Sequence, residues 1–141
     1  MTTRIHAVAF AVVSLAIGAC GSADKQAAAP TTTTSSPSTL EGKSYDVTLL
    51  MGSDTVKDSL VFNGGKFEST ACTEHGFPKS SEYTSKPGVD TTDFHALTKH
   101  PDGKTTIDWN GKVKGNTIEG TATRTMDGKT ENGTFKGELK K

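Results

Sequence analysis

The chain has 141 residues, its 16 Lys and Arg balance 16 Asp and Glu, and it carries only two cysteines. This balance excludes a polycation built for nucleic acid and an acidic solvating tail. The Lys140-Lys141 end reads as a solvated terminus.

Met1 to His6 carries Arg4 and no acid, Ala7 to Ile17 is apolar apart from Ser14, and small residues lead into Cys20. That pattern predicts an export leader, since the apolar run falls short of the roughly 20 residues that span a bilayer. Ile17-Gly18-Ala19-Cys20 resembles the bacterial lipoprotein signal. The resemblance implies removal of residues 1–19, acylation of the Cys20 thiol and new amino terminus with palmitate-type chains, and a membrane anchor. An ordinary secretory leader with an incidental Cys20 is the plain alternative. Several chains at about 0.8 kcal/mol per buried methylene anchor firmly, whereas one is marginal. Leader removal takes away Arg4 and leaves 15 of the 16 basic residues. By the same resemblance, Gly21 stands where an aspartate favours inner-membrane retention, which implies an outer-membrane address in a Gram-negative cell envelope. With Cys20 acylated, Cys72 has no partner within the chain, so the fold must hold by its core alone.

Residues 20–39 form a segment of Ala, Thr, Ser and Pro without an aromatic residue, predicted to be a flexible tether. At up to about 3.1 Å per residue it can hold a domain tens of ångströms from a bilayer.

Residues 40–141 read as one domain of about 100 residues with a single modest core. No sustained 3.6-residue apolar period occurs there. Alternation, β-branched and aromatic residues, and a turn signal every ten or so residues predict an all-β, antiparallel domain. Eight strands can be written, at 43–51, 58–63, 66–71, 81–86, 91–98, 105–114, 117–125 and 130–139.

Turn chemistry then predicts registers. Gly115-Asn116 as a two-residue hairpin pairs Val113 with Ile118 and Trp109 with Ala122. Asp127-Gly128 pairs Gly120 with Phe135, Ala122 with Gly133, and Arg124 with Glu131. A four-residue loop at His100-Pro101-Asp102-Gly103 sets Phe94 against Trp109 and Ala96 against Ile107. A similar loop at Pro87 to Asp90 sets Tyr83 against Phe94. Asn63-Gly64-Gly65 leaves two registers open, both with Leu60, Phe62 and Phe67 on one face. The resulting inward rows set large rings against small residues, and the outward Lys112, Glu119 and Lys136 alternate in sign.

Eight consecutively paired strands can close and remove both edges, giving an up-and-down barrel. The pattern is similar in architecture to calycin barrels such as lipocalins and avidins, without the lipocalin Gly-x-Trp opening. Phe67-Glu68-Ser69, Cys72, Gly76-Phe77, Tyr83, Phe94, Trp109-Asn110-Gly111 and Ile118-Glu119-Gly120-Thr121 together resemble a group of uncharacterised bacterial envelope lipoproteins, which implies no particular activity.

A meander puts loops 52–57, 72–80, 99–104 and 126–129 at one end, and the short turns and the tether at the other. The long-loop mouth would then face away from the membrane. Cys72, His75 and His100 lie on mouth loops, where thiol and imidazoles could share a soft metal. The plainer reading is a packed thiol beside a solvated histidine, since no Cys-x-x-Cys or His-Glu-x-x-His accompanies them. Arg124 opposite Glu131 can present a guanidinium to a ligand carboxylate or phosphate, or can be a rim salt bridge. Tyr83, Phe94 and Trp109 can stack on a flat ligand inside the barrel, or can simply be core. His95 opposite Asp108 lacks a nucleophile and reads as a surface pair.

The expectation is therefore a monomeric, non-enzymatic, lipid-anchored envelope barrel that needs no cofactor and binds a small molecule or a partner in the envelope. An inhibitor or accessory subunit touching another envelope protein through its mouth loops is the second reading. A metal or thiol site at Cys72 and His75 is the third.

Overall fold

The computed structural model describes residues 39–141; the leader, Cys20 and the tether before Thr39 lie outside the described residues. Eight strands follow in order: β1 (Lys43–Met51), β2 (Asp54–Asn63), β3 (Lys66–Ser69), β4 (Ser81–Pro87), β5 (Thr92–Lys99), β6 (Thr105–Lys114), β7 (Thr117–Met126) and β8 (Lys129–Leu139). One short helix, α1 (Thr70–Glu74), stands between β3 and β4. Each strand pairs antiparallel with the next, and β1 also pairs with β8 (Leu49 opposite Phe135), closing the barrel. The seam is thinnest between β3 and β4, where only Lys66 with Glu82 and Phe67 with Ser81 are paired.

The tight turns set the pairings that turn chemistry predicts. Val113 faces Ile118 and Trp109 faces Ala122 across Gly115-Asn116. Gly120 faces Phe135, Ala122 faces Gly133 and Arg124 faces Glu131 across Asp127-Gly128. Asp127 and Gly128 both have positive φ, 49° and 77°, as a type I′ turn requires. Gly64-Gly65 resolves the open register: Phe62 faces Phe67 and Asn63 faces Lys66.

Two pairings differ from expectation by two residues. Ala96, not Phe94, faces both Tyr83 and Trp109, while Phe94 faces Gly111 and Thr98 faces Ile107. The cause is local. Asp102 accepts the amides of Lys104 (2.8 Å) and Thr105 (2.9 Å), and the His100 amide donates to the Thr105 carbonyl (2.9 Å). The four-residue turn therefore spans Pro101 to Lys104, one residue later than expected, which shifts the register by two. At the other end of β5, Gly88 N–H bonds the Thr91 carbonyl at 2.7 Å, and Pro87 stays on its strand. An even shift keeps every side chain on its face. Size complementarity survives with new partners: a Cβ on Gly111 would run into the Phe94 ring.

Strand β2 starts four residues earlier than expected because Gly52-Ser53 is itself a hairpin turn, with Gly52 at φ +59°. Strand β3 ends two residues early because Ser69 caps α1, its side chain accepting the Cys72 amide.

The interior is filled. Trp109, Tyr45, Phe62 and Phe67 are fully buried, and Phe94 and Phe135 nearly so. Their rings meet edge-on or tilted, with Phe62 to Phe94 at 5.0 Å, Phe67 to Trp109 at 5.5 Å and Trp109 to Phe135 at 5.7 Å between centroids. Each buried ring contributes about 1.5–3 kcal/mol, and favourable ring geometry adds to that. The Trp109 indole N–H donates to Thr98 Oγ1 at 3.3 Å, which satisfies the one polar atom of that ring.

Candidate functional site

Because every connection reverses the chain, Gly52-Ser53, residues 70–80, residues 100–104 and Asp127-Gly128 all gather at one end of the barrel. They surround a cleft of about 360 Å³. Its strand-borne wall is Leu49, Met51, Val56 and Ile107; Cys72 and Phe77 close the side formed by α1. Asp58, His75, His100, Asp102 and Arg124 supply the polar groups. The volume sits at the low end of small-molecule pockets, and the mix of an apolar wall with few polar groups is typical of them.

Cys72 lies on the buried face of α1 at 8% exposure. Burial pushes its thiol up to about 11; the Ser69 hydrogen bond opposes that rise and the nearby Asp58 charge adds to it. At neutral pH the folded chain holds this thiol protonated, the weakly nucleophilic form. His75 is exposed at the helix end, its amide donating to the Ala71 (3.3 Å) and Cys72 (3.0 Å) carbonyls.

The His100 ring is held in place from three directions. Its Nδ1 lies 3.0 Å from Asp102 Oδ2 and 3.2 Å from the Asp102 amide. The His100 and Phe77 rings meet in a T-shaped contact, 5.0 Å between centroids and 70° between planes. Gly76, at φ +88°, leaves the ring room, since a Cβ there would sit 3.0 Å from Nε2. The Lys104 and Thr105 amides hold the Asp102 carboxyl down to about 2, with the Thr105 hydroxyl and the His100 charge helping.

The structure thus brings Cys72, His75 and His100 to one cleft without gathering them into a metal site. Among the described residues no group of three His, Cys, Asp or Glu side chains is arranged to hold a metal ion.

Arg124 and Glu131 are paired through Nη2 and Oε2, with 41% and 39% of the side chains exposed. Arg124 faces the cleft; Glu131 does not, its carboxylate lying over Gly52. Of the aromatic row, Phe94 and Trp109 are core, and Tyr83 is half-buried against Phe62 at 5.1 Å. None of the three lines the cleft. His95 and Asp108 meet at 3.2 Å on the outer face, both well exposed.

Sequence reasoning missed Asp58. It is 6% exposed, and its carboxylate accepts from Ser69 Oγ (2.6 Å), Thr70 Oγ1 (3.1 Å) and the Ala71 amide (2.9 Å). Its signal was an acid in the same alternation phase as Leu60 and Phe62.

No protein-family model, curated protein or solved structure matches this chain. Among the described residues no helix is long and apolar enough to cross a membrane.

Proposed function

We propose that this protein is a non-enzymatic binding protein of the bacterial envelope, tethered through a lipid on Cys20 and binding its ligand at the barrel mouth. The observation that carries the reading is the mouth cleft, an apolar wall with Arg124 and His100 set into it, at the end opposite the N-terminal entry of β1. Interior binding has no such support, since Trp109 is fully buried and bonded to Thr98. The lipoprotein-like Ile17-Gly18-Ala19-Cys20 supports the anchor. An anchored barrel entered at its short-turn end would present the mouth away from the bilayer.

Thermal unfolding of the full chain against a panel of neutral, acidic and basic metabolites tests the reading. A ligand at 100 times its Kd stabilises by about 2.7 kcal/mol, which moves the midpoint by several degrees. At least one class should do so, and an unmoved midpoint across the panel would contradict small-molecule binding.

Contact with a second envelope protein through the same loops is favoured by one feature, Met126, which is 48% exposed on the cleft rim. Replacing residues 75–80 by Gly and Ser should then abolish recovery of that partner.

A further inference from the structure

We propose that the mouth cleft takes a small apolar acid, with its carboxylate on Arg124 and its hydrocarbon body against Leu49, Met51 and Phe77. The proposal deepens the reading of the mouth as a binding site and rests on it.

The guanidinium is the group that selects the head. Arg124 has five N–H donors in a planar fork. Among the described residues its one hydrogen-bond partner is Glu131, engaged through Nη2 alone. Glu131 grips from the side of the Gly52 turn and stays out of the cleft lining. The remaining donors of Arg124 are left to whatever enters, and a carboxylate matches the fork in plane and charge. The pair is partly exposed, so an incoming anion breaks no buried ion pair to reach it. Exposed pairs of this kind contribute only about 0–1 kcal/mol, so even a shift of Glu131 would cost little.

The other charged groups of the cleft argue against a cationic ligand. Asp58 is committed to Ser69, Thr70 and the Ala71 amide, and Asp102 to Lys104 and Thr105. Both carboxylates therefore already have donors within the protein. His75 and His100 can only add positive charge, and the buried Cys72 thiol adds none.

Volume and wall chemistry define the body. About 360 Å³ beside Leu49, Met51, Val56, Ile107 and Phe77 suits a short alkyl or aryl group, while the ring-filled interior beyond stops a longer one. Burying each methylene adds about 0.8 kcal/mol.

Calorimetric titration of the full chain with octanoate, octanol and octylamine separates head from body. Octanoate should bind about tenfold or more tightly than octanol, as one charge-assisted pair warrants, and octylamine should bind least. Arg124→Gln should bring octanoate down to octanol while leaving octanol unchanged, which also reports an intact cleft. If Arg124→Gln fails to fold, Arg124→Lys, which keeps the charge and loses the fork, should weaken octanoate about threefold and spare octanol. Equal binding of octanoate and octanol, or octanoate binding indifferent to both substitutions, would overturn the acid selectivity and leave the mouth reading standing. Binding of none of the three overturns the acid proposal outright, and the metabolite panel then judges the mouth separately.

Discussion

Asp58 sits on β2 in the inward phase, two residues before Leu60, where alternation asks for an apolar side chain. It is tolerated because the first turn of α1 arrives above it with three donors: the Ser69 and Thr70 hydroxyls and the Ala71 amide. The acid in turn fixes α1, which carries Cys72 into the cleft wall. Asp58→Ala should cost about 2–4 kcal/mol in urea unfolding, because it strands buried donors as well as losing their bonds. A loss below about 0.5 kcal/mol, the size of an ordinary surface change, would mean that the contact is incidental.

Cys72 is the second residue whose setting decides its chemistry. The ordinary thiol value is 9.0 and burial raises it to about 11, so the folded state favours the protonated form. Iodoacetamide should leave the native thiol unmodified at about pH 8 and label it readily once the chain unfolds. The linkage has a definite sign. Between 9.0 and about 11 the unfolded chain releases this proton before the folded one does, so the thiol's contribution falls as pH rises through that window. Rapid labelling of the native protein would contradict the packing of α1.

At the scale of elements, glycine decides where the sheet can bend around its rings. A Cβ on Gly120 would strike the Asn110 carbonyl oxygen and the Gly111 Cα, which belong to the neighbouring strand's backbone and cannot swing aside. Gly120→Ala should destabilise by about 1–3 kcal/mol, as overpacking does, read as a lower urea midpoint with unchanged slope. An unchanged midpoint would mean that β6 and β7 are less closely coiled.

The strands and faces were legible in the sequence because side-chain alternation and two-residue turns are local signals. The β6–β7–β8 registers follow from Gly115-Asn116 and Asp127-Gly128 alone. The β4–β5–β6 registers did not follow, because the position of each four-residue turn is set by what Asp102 and Gly88 bond. A proline at turn position two cannot report an aspartate that caps two amides further on. Helix α1 escaped for a related reason: five residues are too few for a period, and its cap, Ser69, sits in a strand-like run. The candidate site was half legible. Loop positions named Cys72, His75 and His100, and inward strand phase named Arg124, but the rings of Phe94 and Trp109 belong to the core, and Asp58 needed α1 to explain it.

At the scale of the whole molecule, the filled barrel and the open mouth divide the labour. The buried rings fill the barrel, while the loops at one end enclose a small cleft. The proposed anchor is independent of both. Detergent-phase partitioning should retain the wild-type protein and release Cys20→Ser to the aqueous phase. Equal partitioning of the two would remove the lipid from the account.

The most direct test of mouth binding is an amide and side-chain nuclear magnetic resonance map of the full chain titrated with octanoate. Shifts should centre on Leu49, Cys72, His100 and Arg124, with the Trp109 indole signal unmoved. The largest shift at the Trp109 indole, or a map with no focus at the mouth, would contradict a filled barrel that binds at its rim.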